Sequence, residues 1–159
     1  MLAVRAEPGT TARLERASFR QLVLNLLDNA AKYGPHGGTV ALHVARAVAT
    51  NGPASGPVVR VVVDDEGPGV PAAERARVWA PFARGDGDAV RACGGSGIGL
   101  AIVREVVAAH GGRAWLDEAP GGGARVVVEL PAVAAPDASM GADEAVPVAP
   151  ATPEPAEVA

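Results

Sequence analysis

Asn25, Asp28, Asn29 and Lys32 lie three or four residues apart, the spacing that stacks side chains on one face of a helix. Two amide oxygens one turn apart can hold a hard cation such as Mg²⁺, and an ammonium on the same face can meet a phosphate. On an ideal helix over residues 19–33 these residues and Gln21 gather in an arc of roughly 100°. Phe19, Leu22, Val23, Leu24, Leu26, Leu27 and Ala30 fill the wider arc, which predicts a helix buried on most sides. A solvated helix face is the simpler account of the stripe taken alone.

Two glycine-rich segments add to it. Asp65-Glu66-Gly67-Pro68-Gly69 follows an apolar run, Val58 to Val63. Glycine lets the backbone approach a ligand, and an aspartate at a strand end can accept a hydrogen bond from an exocyclic amine such as adenine's. A plain turn has the same composition. Gly94-Gly95-Ser96-Gly97-Ile98-Gly99-Leu100 runs into an apolar helical pattern. The N–H groups of a helix start suit a phosphate. A dinucleotide-binding fold places its glycine loop early, after a first strand, and a P-loop needs G-x-x-x-x-G-K-[ST]. This loop comes late, and no such P-loop segment occurs.

The elements that would position these groups follow from pattern and punctuation. Residues 2–7 and 11–16 alternate and read as two short strands around Pro8-Gly9. Ser18 is a candidate N-cap for a helix from Phe19 to about Tyr33, stopped by Gly34-Pro35. Strands are expected over 39–48, 58–63, 113–118 and 124–130. A short helix should run from Pro71 to Trp79, and a second long one from Gly97 to His110. Residues 83–96 read as a mobile loop. From residue 132 the chain is Ala, Pro and acidic residues without periodicity, which predicts a disordered tail over 132–159. Interspersed strands and helices indicate an α/β sandwich.

Composition narrows the function classes. The 159 residues suffice for one domain, and the net charge of −4 without a basic run argues against non-specific nucleic-acid binding. Only Lys32 of the fourteen lysines and arginines is a lysine. The single cysteine, Cys93, can form no internal disulfide and fits a reducing cytoplasm. The longest apolar stretches fall far short of a bilayer span.

In combination and order, the motifs resemble those of the GHKL ATP-binding superfamily, and within it the sensor histidine kinases. Asn25 to Tyr33 resembles the asparagine box, and Asp65 to Val70 the first glycine box. Trp79 to Arg84 resembles the phenylalanine box, Gly95 to Leu100 the second glycine box, and Gly122 to Val126 the closing glycine segment. The resemblance covers about residues 1–131. It implies a two-layer sandwich, a mixed sheet with helices on one face (the Bergerat fold), holding Mg-ATP beneath a lid.

By the same resemblance Asn29 would bind Mg²⁺, with Asn25 on the metal or phosphates. Lys32 would contact phosphate, Tyr33 would pack on adenine, and Asp65 would accept the adenine amine. Gly67 and Gly69 would let the chain pass close to the base. The segment of Gly95, Gly97, Ile98, Gly99 and Leu100 would bring N–H groups to the phosphates. Arg84 would reach the triphosphate from the lid, and Phe82 would anchor the lid's start or serve as a core aromatic.

Gyrase-, Hsp90- and MutL-like ATPases and anti-sigma serine kinases resemble E-x-x-x-N at the asparagine box, where glutamate is a general base. Here Asn25 stands first and cannot take a proton, which matches histidine kinases and opposes direct water activation. The resemblance implies γ-phosphate transfer to a histidine on a dimerisation domain and, indirectly, to a response regulator. No H-E-x-x-x-P-like segment occurs. His36, His43 and His110 sit in a turn, a strand and a helix end, so the acceptor is expected upstream in a longer protein, itself open to membrane anchorage, or on a separate chain. A serine kinase, an ATPase or a non-catalytic ATP-sensing module are the competing readings.

Overall fold

The computed structural model describes residues 1–50, 55–83 and 96–133. Strand β1 (Leu2–Ala6) leads to helix α1 (Arg16–Tyr33). Strands β2 (Val40–Ala49) and β3 (Gly56–Asp64) follow. A 3₁₀ turn at Arg77–Trp79 precedes helix α2 (Gly99–Ala109), and β4 (Arg113–Glu118) and β5 (Ala124–Pro131) close the fold. The five strands form one mixed sheet in the order β1-β2-β3-β5-β4, with only β1 and β2 parallel. Both helices pack on one face, as the α/β sandwich expectation had it.

Register explains the layering, because alternate residues of a strand point to opposite faces. Leu42, Val63, Val126 and Leu116 are cross-strand neighbours in one row, and Val44, Val61, Val128 and Ala114 in the next. These rows meet Leu22, Leu26 and Ala30 of α1 and Val103 and Val107 of α2 in one apolar core. On the other face, the same registers line up Arg60, Glu129 and Arg113, then the row of Val62, Val127 and Trp115, and beyond it Asp64 and Arg125. Glu129 is 0% exposed and accepts from Arg60 Nη2 at 2.6 Å and Arg113 Nε at 2.6 Å. Arg125 grips Asp64 bidentately at 2.6 and 2.7 Å, and Arg113 lies over the Trp115 ring. Charge pairs thus close the helix-free face.

Several elements depart from the sequence expectation. Residues 11–16 form no strand, only a bridge between Ala12 and Ala132. Helix α1 starts at Arg16, and its N-cap is Glu15 without a side-chain hydrogen bond, so Ser18 lies inside the helix. Favourable core contacts of Leu22 and Leu26 outweigh the missing cap. The helix is also less buried than expected: Leu24 is 55% exposed and Phe19 is exposed too. Residues 72–76 are turns, and the expected helix from Pro71 shrinks to the 3₁₀ turn. Helix α2 begins at Gly99, two residues late, since Gly97 takes φ +68°. The tail from 134 and most of the loop expected at 83–96 lie outside the described residues.

Candidate functional site

A cavity of about 560 Å³ opens between α1, the start of α2 and the end of β3. Asn25, Asn29, Lys32 and Tyr33 line it from α1. Asp65 and Gly69 line it from the segment after β3, and Gly97, Ile98, Gly99 and Leu100 from the start of α2. Residues read from three separated segments therefore share one space. Arg84 and Gly95 lie outside the described residues.

At one end sits Asp65, 9% exposed. Its Oδ1 accepts the Gly67 N–H at 2.8 Å and the Ala124 N–H at 3.0 Å. Oδ2 has no hydrogen bond among the described residues, so the carboxylate is held by one oxygen and offers the other. Asp64, its neighbour, points to the opposite face of the sheet and is held by Arg125. Gly67 does not line the cavity; it acts behind it. A Cβ there would stand 2.6 Å from the Tyr33 carbonyl oxygen, so only glycine lets the end of α1 pack on this loop. Glu66 accepts the Thr39 N–H at 3.0 Å and ties the loop to the turn after α1. Val63, Val70, Val78, Ile102, Leu116 and Val126 supply apolar wall between the two ends, suited to a flat aromatic ligand.

At the other end Asn25 Nδ2 donates to the Gln21 carbonyl at 2.8 Å, which turns Oδ1 inward. The Oδ1 atoms of Asn25 and Asn29 each lie 3.3 Å from the point a Gly99 Cβ would occupy. Two amide oxygens thus converge beside the first turn of α2. No side chain caps that turn, so its N–H groups and positive dipole end are of the kind that suits an anion. Lys32 pairs with Asp28 one turn back along α1.

Of the two roles read for Phe82, the core aromatic is ruled out. Its side chain is 77% exposed and does not line the cavity, so it is no core aromatic. Its backbone has φ +62°, and its N–H donates to the Gly97 carbonyl at 2.9 Å. The contribution to the site runs through the main chain, which a side-chain motif cannot reveal. Sequence reasoning also did not single out the Ala124 N–H or the valine wall. The Gly122-Gly123 pair was the available signal for the first, while the wall is indistinguishable from core in a sequence.

Among the described residues no helix is long and apolar enough to cross a membrane. His110 ends α2, its Nδ1 2.7 Å from the Val106 carbonyl oxygen, as a capping residue would be.

Comparison with known proteins gives one answer. The family model described as "Histidine kinase-, DNA gyrase B-, and HSP90-like ATPase" matches residues 15–134. The signal transduction histidine-protein kinase/phosphatase MprB of Mycolicibacterium smegmatis is 46% identical over 119 residues, covering 72% of this chain and 22% of that protein. The chain therefore spans about a fifth of that relative's length. Among solved structures, the mycobacterial sensor histidine kinase MprB superposes with a TM-score of 0.67 at 32% identity, covering 82% of this chain and 80% of the other. Full-length ShkA in complex with AMPPNP gives 0.66 at 32% identity, covering 83% and 25%. Sheet order, cavity and family match agree, and the chain belongs to the histidine kinase-, DNA gyrase B- and HSP90-like ATPase family.

Proposed function

We propose that this chain is the ATP-binding catalytic domain of a two-component sensor histidine kinase. It would pass the γ-phosphate of ATP to a histidine on a dimerisation domain, from which a response regulator is served. The observation that carries this reading is the single cavity onto which the Asp65 carboxylate and the Asn25 and Asn29 amides all open. Relatives named as histidine kinases support the choice within the family.

In this reading adenine lies against the valine wall and Tyr33, its amine donating to Asp65 Oδ2. The phosphates lie at the start of α2, where N–H groups and Lys32 offset their charge. The donor set at the phosphate end fits Mg²⁺: two neutral amide oxygens, converging, with phosphate oxygens and water left to complete the shell. Asn25 and Asn29 would hold the ion, which supplies charge neutralisation of the phosphates when bound. The acceptor imidazole nitrogen forms a bond to Pγ as the bond from Pγ to the bridging oxygen breaks, and ADP leaves. The chain's residues align the nucleotide and need take no proton. Asn25 in the place of a glutamate base is the feature that argues against an ATPase or serine kinase.

Calorimetric titration of the 159-residue chain with ATP, with and without Mg²⁺, tests the reading. Binding in the micromolar-to-millimolar range, roughly −4 to −8 kcal/mol, is expected. No heat at millimolar nucleotide would overturn it. Radiolabel transfer to a separately supplied histidine domain, absent from the chain alone, tests the chemistry.

A further inference from the structure

We propose that Asp28 is a counter-ion that holds Lys32 away from the nucleotide's phosphates and so weakens the domain's grip on ATP and ADP. The proposal rests on the nucleotide reading of the cavity and adds to it a residue that sets exchange.

Asp28 precedes Lys32 by four residues on α1, the order in which an acid and a base pair best on a helix. The carboxylate Oδ2 and the Lys32 Nζ are in contact. Both residues line the cavity, and Asp28 also borders the shallow groove along the outer side of α1 with Arg20, Leu24 and Asn25. The carboxylate therefore stands at the rim, between cavity and solvent. The side chains are 38% and 57% exposed for Lys32 and Asp28. Such a pair is weak enough to be broken by a ligand.

A polyphosphate arriving at the start of α2 competes with Asp28 for the one ammonium on this helix. That competition opposes phosphate binding and does not act on a ligand without phosphates. Asp28 thereby favours release of spent nucleotide at the expense of affinity. A hydrogen-bonding residue that merely finished the polar stripe would have no such sign.

Asp28→Asn removes the charge and keeps the shape. ATP and ADP should bind the variant about two- to fivefold more tightly, the range an exposed ion pair supports. Adenosine, which has no phosphate, should bind parent and variant alike. In a Lys32→Ala background the gain from Asp28→Asn should largely vanish. Asp28→Ser serves as a second neutral variant, and thermal melting establishes that each variant is folded.

Unchanged or weaker ATP binding in the folded variants overturns the proposal; a loss that grows with Mg²⁺ would make Asp28 a support of the metal site instead. An equal gain for adenosine, or a full gain without Lys32, also overturns it. Absence of ATP binding by the parent chain would sink the nucleotide reading together with this one. Binding by the parent with no gain in the variants would sink the role of Asp28 alone.

Discussion

Gly123 lies against Asp65 so closely that a Cβ on it would overlap the Asp65 carbonyl oxygen and stand 3.0 Å from Oδ1. Gly123 also has φ +88°, a conformation side chains resist. Its place in the closing glycine turn brings the Ala124 N–H onto the carboxylate. Gly123→Ala should cost about 1–3 kcal/mol of stability through overpacking and backbone strain. It should also weaken nucleotide binding by displacing Asp65. Thermal melting and ATP titration measure the two effects; a variant with the parent's melting point and affinity would show that the contact is not needed.

Asp65→Asn should lower ATP affinity by roughly tenfold, since hydrogen bonds to charged acceptors are the stronger ones. The Asn carbonyl can keep the Gly67 and Ala124 donors, which turns its NH₂ toward the cavity where Oδ2 had been. A base carrying a carbonyl instead of an amine should then lose less than ATP does. Competition between ATP and ITP checks this: the same preference in parent and variant would remove Asp65 from base recognition.

Asn29→Ala should flatten the dependence of ATP binding on Mg²⁺ while leaving the fold intact, because the lost amide oxygen is one of the two that converge near Gly99. A Mg²⁺ titration identical for variant and parent would take Asn29 out of the metal site.

Glu129 gives the fold a pH dependence with a defined sign. Burial alone would raise its carboxyl, but hydrogen bonds from Arg113 and Arg60, and their charges, outweigh burial and hold it below its ordinary value of 4.5. Its native-state contribution is therefore present above the unfolded value and is lost as pH falls through the lowered native one. Glu129→Gln should destabilise the chain at neutral pH by about 1–3 kcal/mol, leaving two arginines without their shared anion. The difference between parent and variant should shrink in acid below pH ~4. Melting curves across that range test it; a constant difference would mean the carboxylate's charge is not what matters.

Much of this was legible in the sequence. Asn25, Asn29, Asp65 and the glycines before α2 each read alone as a solvated face or a plain turn, and it was their order, resembling a known family, that grouped the residues now found lining one cavity. The strands 113–118 and 124–130 were read from the turn between them, and β5 runs one residue further, to Pro131. The boundary of α1 was not, because Glu15 starts the helix without a cap and packing by Leu22 sets where it begins. The expected helix after Pro71 was lost to turns, since residues 72–76 carry no apolar stripe to hold one on the core. The core-aromatic reading of Phe82 failed because its side chain lies outside while its main chain bonds to Gly97. The cross-sheet clamp of Glu129 needed a strand order that no local pattern encodes.

One hydrogen bond, from the Phe82 N–H to the Gly97 carbonyl, fastens together the chain on either side of residues 84–95. Two positions far apart in the chain are thereby held at bonding distance, which ties the segment after the 3₁₀ turn to the start of α2. A change that breaks this one bond would therefore be felt at the glycine end of the cavity without touching any residue of the sheet.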